Sequence, residues 1–132
     1  MTTNAKTNAT PDEMKEELEF YIRGAKVRFE EAQTKFLADA TTNPASAILW
    51  SSENMVRVQT EYEVWIWIER ATAKEDPKVA IKKMLEEVRY RVRSFFGSNS
   101  TSMFSNAVER AKAEAHLRLV DELEGLAKHY GI

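Results

Sequence analysis

The sequence predicts an all-α protein, a four-helix bundle with a long first helix and a short polar N-terminal tail. Apolar residues recur at helical spacing along most of the chain, and each of three prolines follows a residue suited to cap a helix. Four glycines and three prolines among 132 residues are too few for the many tight turns of an all-β protein. The length is typical of one domain, and 43% hydrophobic with 30% charged residues is the composition of a folded chain.

The prolines mark the expected helix starts. The three pairs of capping residue and proline are Thr10-Pro11, Asn43-Pro44 and Asp76-Pro77. Threonine, asparagine and aspartate accept N–H groups of a first helical turn, and proline lacks an N–H that the helix start does not use. Within a single domain, we therefore expect a polar tail over residues 1–10, a first helix over 11–40 and a helical bundle over 44–132. The bundle helices are expected over 44–73, from 77 to a cap at Gly97, and, after a polar turn at 98–102, up to Tyr130.

The first helix carries one continuous apolar stripe at alternating steps of three and four residues. Its members are Leu18, Ile22, Ala25, Phe29, Ala32 and Phe36. Phe20 and Val27 lie off the stripe, which indicates a second contact surface. About 30 residues span ~45 Å, whereas the third helix, nearer 20 residues, spans ~30 Å. We therefore expect the first helix either to bend near Gly24 or to pack against something outside the bundle.

Residues 56–68 fit two secondary structures. Val56, Val64 and Ile68 belong to a series with an apolar or β-favouring residue at every second position, which is strand periodicity. Helical spacing through Met55 and Tyr62 is also present. Helix is preferred because the chain offers no second strand for pairing, and a break is expected near Ser51-Ser52.

Aromatic residues of the second helix indicate either a core or an interface. Trp65 and Trp67 are roughly 200° apart around a helix, and the residues 64–68 are apolar throughout. A helix that is apolar all round is buried on every side. It is then either a central core helix with one tryptophan partly exposed, or a contact between subunits. The candidate subunit-interface residues are Phe20, Trp50, Tyr62, Trp65 and Trp67.

The third helix is the most basic part of the chain. Between residues 78 and 93 lie six basic and two acidic side chains, a local charge of +4 in a chain of net charge −2. Such a patch is suited to a nucleic-acid backbone, although a solvated face opposite an apolar one is the plainer interpretation. The candidate phosphate contacts are Lys82, Lys83, Arg89, Arg91 and Arg93 here, with Arg23, Lys26, Arg28 and Lys35 on the first helix.

No motif specifies a reaction. The chain has no cysteine, no Glu-x-x-His pair, no Gly-x-Ser-x-Gly elbow and no phosphate-binding loop lysine. His116 and His129 point to different sides of one helix, and His116 is expected at the surface or its boundary. The longest apolar run, residues 64–68, is far below the ~20 residues of a membrane-spanning helix. We therefore expect no enzyme activity, no cofactor, no metal and no membrane span.

The arrangement resembles the major coat proteins of filamentous archaeal double-stranded DNA viruses. The polar tail, the long helix from Pro11, the joint at 41–44 and the bundle from Ala45 to Tyr130 correspond to their parts. The resemblance covers the whole chain and is architectural. It implies a virion subunit without a catalytic site that assembles with itself or a homologous subunit into a filament. Its basic residues would contact the phosphates of double-stranded DNA without reading bases.

The alternative is a small helical adaptor or regulatory subunit in the cytoplasm. It would dock one protein partner and no nucleic acid. The region around Trp65 and Trp67 would then be the docking surface. An enzyme with its site in the bundle core is the least favoured possibility.

Overall fold

The computed structural model describes residues 9–96 and 103–132, and these form four long helices and no strand. The all-α bundle prediction is therefore confirmed. Most of the predicted tail, the Gly97 cap and the polar turn at 98–102 lie outside the described residues. The elements are α1 (Pro11–Thr42), α2 (Pro44–Ser46), a π-helical segment (Ala47–Ser51), α3 (Ser52–Thr72), α4 (Pro77–Phe96) and α5 (Met103–His129).

Each predicted proline start is a capped helix start. The Thr10 hydroxyl accepts the N–H of Glu13 at 3.2 Å. The Asn43 side chain accepts the N–H of Ser46 at 3.3 Å, and the Asp76 carboxylate accepts the N–H two residues further on at 2.8 Å. These caps satisfy backbone donors that have no partner inside the helix.

Residues 44–72 follow one another as a helical run without an intervening loop. Residues 56–68 lie in α3, so the strand alternative is wrong. The break expected near Ser51 is a change of helix type: the N–H of Ser52 donates to the carbonyl of Ala47, five residues back, as in a π-helix. Such a segment shifts the register of the side chains that follow it.

Helix α3 is the centre of the bundle, since it packs against α1, α4 and α5. The core consists of Met14, Leu18, Ile22 and Ala25 of α1, Val64, Trp65 and Ile68 of α3, Ile81, Met84, Leu85 and Val88 of α4, Leu119, Leu123, Leu126 and Ala127 of α5, and Tyr130. Trp65 is fully buried, but Trp67 is 41% exposed. Within the single chain this stretch is therefore not buried all round but forms a central helix with one tryptophan partly exposed, and a contact between subunits at Trp67 stays a prediction.

The length of α1 is matched within the same chain. Its 32 residues span about 48 Å, and the run from Pro44 to Thr72 lies alongside it as α2, the π-helical segment and α3. Helix α1 continues without a break through Gly24. The short element is α4, with 20 residues, so the length of α1 alone requires no external partner.

The two neighbouring tryptophans are expected to differ sharply in their effect on stability. Trp65→Ala removes a fully buried side chain and leaves a cavity, so the free energy of unfolding should fall by about 3–5 kcal/mol. Trp67→Ala should lower it far less, because that indole is partly in solvent. Urea denaturation of both variants measures the difference. Equal losses would contradict the packing of α3 described above.

Candidate functional site

Four of the nine basic residues predicted to contact phosphate already form ion pairs within the chain. The pairs are Lys35–Asp39 (3.6 Å), Lys83–Glu75 (2.8 Å), Arg89–Glu124 (2.8 Å) and Arg91–Glu87 (3.0 Å). Exposed pairs contribute only about 0–1 kcal/mol, so they do not prevent a phosphate contact but reduce its gain. For these four residues, the structure fits a solvated, locally neutralised face.

Four other candidates carry uncompensated charge. Arg23 and Lys26 on α1, and Lys82 and Arg93 on α4, are exposed and form no ion pair with another residue of the described ranges. Arg28 is half-buried, and its Nε has no hydrogen-bond partner among those residues. The phosphate role of all nine stays a prediction, with these exposed cations as its best candidates.

The predicted interface residues do not share one environment. Trp65 lies in the core, with the Tyr21 ring stacked on it at 5.1 Å between centroids, so it cannot serve a subunit interface. Tyr62 is half-buried and packs on Phe29 at 5.4 Å. Phe20 and Trp50 are largely exposed. The accessible aromatic candidates therefore lie on α1, on the π-helical segment and, through Trp67, on α3.

The π-helical segment presents a row of large apolar side chains to solvent. Ala47 and Ser51, four residues apart, are both buried, and the Ser51 hydroxyl donates to Asp39 of α1. With these two positions facing inward, Ile48, Leu49 and Trp50 are 67%, 63% and 71% exposed. We call Ile48, Leu49 and Trp50 the π patch. Sequence analysis singled out only Trp50 of the three, because the sequence does not show that Ala47 and Ser51 form the buried face of this segment.

A cavity of about 190 Å³ lies between α3, α4 and α5. Its lining combines apolar side chains, two cations, a tryptophan and a histidine. The lining residues are Thr60, Glu63, Val64, Trp67, Met84, Val88, Arg91, Lys112 and His116. No residue of this set apart from Trp67 and Arg91 was a candidate from the sequence, since the cavity depends on how three helices cross.

His116 is a cavity residue and not the surface or boundary residue expected from the sequence. It is 6% exposed, because α5 turns it toward α3 and α4. Burial lowers the pKa of its imidazole below the ordinary histidine value, and Arg91 and Lys112 lower it further, against Glu87 and Glu109, which raise it. These effects favour the neutral imidazole over the imidazolium form.

Glu61 is a buried carboxylate that sequence analysis missed. It is 2% exposed, and burial raises the pKa of its carboxyl, while the charges of Arg118, Arg28 and Arg57 oppose that rise. Arg118 Nε lies 3.4 Å from Glu61 Oε1, yet neither carboxylate oxygen accepts a hydrogen bond from the described residues. Its position between Val58 and Trp65, at steps of three and four, is the sequence signal that places it on the buried face of α3.

Metal ligation and membrane insertion have no counterpart in the described part of the chain. There, His, Asp and Glu side chains nowhere form a group of three that could hold a metal ion. No helix built from those residues has both the length and the apolarity to cross a membrane. The fold and its sites thus define an all-α bundle with an exposed apolar end and a small, partly basic cavity. Comparison with protein-family models, curated proteins and solved structures finds no match to the chain.

The buried Glu61 should make stability depend on pH. Because its pKa is raised in the fold, the folded state holds more protons than the unfolded state above the ordinary glutamate value. The contribution of this group to the free energy of unfolding therefore falls as the pH rises from the ordinary glutamate pKa to the raised pKa of the folded state. Glu61→Gln removes the effect, so the stability of this variant relative to the parent should increase from pH 4 toward neutrality.

Urea denaturation at several pH values measures this difference. Glu69→Gln is the matched control, because Glu69 is an exposed carboxylate on the same helix. A Glu61→Gln difference that stays constant with pH, or that equals the control, would show that the burial of Glu61 has no energetic consequence.

Proposed function

We propose that this chain is a structural subunit that assembles with copies of itself by helix packing. The observation that carries the proposal is the π patch, three adjacent large apolar side chains that are each more than 60% exposed. The three side chains point outward around one turn of the segment, and apolar surface exposed in this way is favourably buried by contact with another protein. Covering each of these side chains contributes about 1–2 kcal/mol, which is enough in sum to drive association.

The charge distribution favours a second copy as the partner. Residues 12–19 of α1 include five acidic and one basic side chain, a formal charge of −4, while residues 78–93 carry a formal +4, which the pairs of Lys83 with Glu75 and of Arg89 with Glu124 reduce to +2. Asp12, Glu13, Glu16 and Glu19 are exposed and form no ion pair with another described residue. Opposite charges on separate helices of one chain favour head-to-tail contacts between copies. Contacts of that type leave complementary surfaces open and generate rings or filaments.

We further propose that the assembled subunits form a viral coat and that double-stranded DNA is their second partner. The exposed cations Arg23, Lys26, Lys82 and Arg93 supply phosphate contacts that break no ion pair of the described chain. Contacts of this kind neutralise the backbone and read no bases.

A small adaptor is the second candidate function, and Trp67 favours it. This indole is 41% exposed beside the cavity, a place where one side chain of a partner protein can dock. An adaptor forms a finite complex with its partner and does not polymerise, so the solution behaviour of the purified chain distinguishes the two functions.

Self-association should depend on the π patch. We expect the intact chain to associate progressively with concentration in sedimentation velocity, and Trp50→Ser to weaken this at least tenfold, since about 1.4 kcal/mol corresponds to a factor of ten. Leu49→Ser should act likewise, whereas Leu117→Ser, which changes an exposed leucine of α5, should not. A parent chain that stays monomeric at all concentrations, or equal effects of the two leucine variants, would overturn the proposed self-assembly.

Binding to duplex DNA should be weak, indifferent to base sequence and strongly dependent on salt. Each phosphate contact contributes about −0.9 to the slope of log affinity against log salt. The double variant Arg23→Gln, Lys26→Gln should therefore reduce that slope by about 2, in fluorescence anisotropy with labelled duplex. The charge-matched control is Lys74→Gln, Lys128→Gln, at exposed lysines outside the candidate set. A folded parent chain that binds no duplex at low salt would contradict the DNA role and leave self-assembly standing.

A further inference from the structure

The geometry points to a second binding site, independent of assembly: the cavity between α3, α4 and α5 binds a small organic anion, a carboxylate carried on a compact apolar group. The cavity brings Arg91 and Lys112 to the same space as His116, Trp67, Met84 and Val88. Arg91, Lys112 and His116 suit a negatively charged group. Trp67, Met84 and Val88 suit a hydrocarbon chain or ring.

The size of the cavity limits the ligand to a small one. Its volume is about 190 Å³, and an apolar cavity of about 150 Å³ holds benzene in another protein. Met84 and Val88 supply aliphatic contacts, and the partly exposed indole of Trp67 offers a face for stacking. A single ring or branched chain fits these contacts, while its charged group reaches the basic residues.

Two basic side chains of the cavity lining are available to an anion. Arg91 donates to Glu87 through Nε at 3.0 Å, which uses one of its five N–H groups. Lys112 is exposed and forms no ion pair with a residue of the described ranges. The one carboxylate of the lining, Glu63, accepts the side-chain amide of Gln59 at 3.2 Å. Glu87 balances the charge of Arg91, so anion binding rests on Lys112 and on the remaining N–H donors of Arg91.

His116 supplies a buried polar group directed at this space. The residue is more than nine-tenths buried, but its ring nitrogens are not among the fully buried atoms that lack a hydrogen-bond partner, so they remain accessible from the cavity. A neutral imidazole has one N–H donor, which a ligand in the cavity can engage. The charged groups that face the ring are Arg91 and Glu87 of α4 and Lys112 and Glu109 of α5, with Glu63 of α3 across the cavity. An anion held among them contacts Lys112 and the N–H groups of Arg91 that Glu87 does not use.

Binding of the anion and protonation of His116 are therefore linked. Because Arg91 and Lys112 disfavour the imidazolium form, a carboxylate placed between them and the ring raises the pKa of His116. The same ligand without a charge has no such effect. This linkage separates recognition of an anion from the filling of an apolar hole.

Benzoate is the probe for this inference, and benzamide is its neutral counterpart. In NMR titrations of the dilute intact chain, we expect benzoate to shift the ring resonances of His116 and the indole resonance of Trp67 saturably below about 10 mM, the range for a fragment-sized ligand. The other histidine, His129, is the internal control. Benzamide should bind at least tenfold more weakly, and benzoate should raise the pKa of His116. Lys112→Gln should weaken benzoate severalfold, whereas Lys128→Gln should not.

Three results would overturn the inference: no saturable shift of His116, equal affinity for benzoate and benzamide, or equal shifts at His129. Repeating the titration with the Trp50→Ser variant, whose π patch is disrupted, separates this site from self-assembly. Benzoate binding to that variant supports the cavity site even if the chain proves not to assemble.

Discussion

The burial of one face of α3 is the constraint on which the rest of the structure depends. Trp65 fills the space where α3 meets its neighbours, with Tyr21 of α1 stacked on its ring. Since helical residues two positions apart point in nearly opposite directions, the same packing leaves Trp67 at the cavity and partly in solvent. It also carries Glu61, one turn earlier, into the interior. There, arginines from three helices stabilise the negative charge of its carboxylate against the cost of burial.

The π-helical segment lies near the start of the helical run from Pro44 to Thr72, and there apolar side chains are left in solvent instead of being buried. Its Ala47 and Ser51 are buried, and the Ser51 hydroxyl donates a hydrogen bond to Asp39 of α1. The apolar residues between them consequently remain in solvent although the core is complete without them. A single chain therefore buries its own interior and still presents apolar side chains to solvent at the π patch. These exposed side chains, and not an unfinished core, are the physical basis for proposing assembly.

Local signals predicted most of the fold, and tertiary contacts decided what was missed. The proline starts follow from capping, and the helical choice for residues 56–68 follows from the lack of a second strand. The π-helical segment, by contrast, has no sequence signal beyond the break expected near Ser51, and the burial of His116 depends on the crossing of three helices. The pairing of Arg89 with Glu124 could not be predicted because the two residues are 35 positions apart, whereas Arg91 and Glu87 are four apart on one helix.

Acrylamide quenching of tryptophan fluorescence tests the central claim, that copies of the chain cover the π patch. In a Trp67→Phe chain, Trp50 is the indole open to the quencher, because Trp65 is sealed in the core. The account predicts that the quenching constant falls as protein concentration rises, since neighbouring copies remove Trp50 from water. A quenching constant that stays at the value of the dilute chain up to the highest concentration would contradict it.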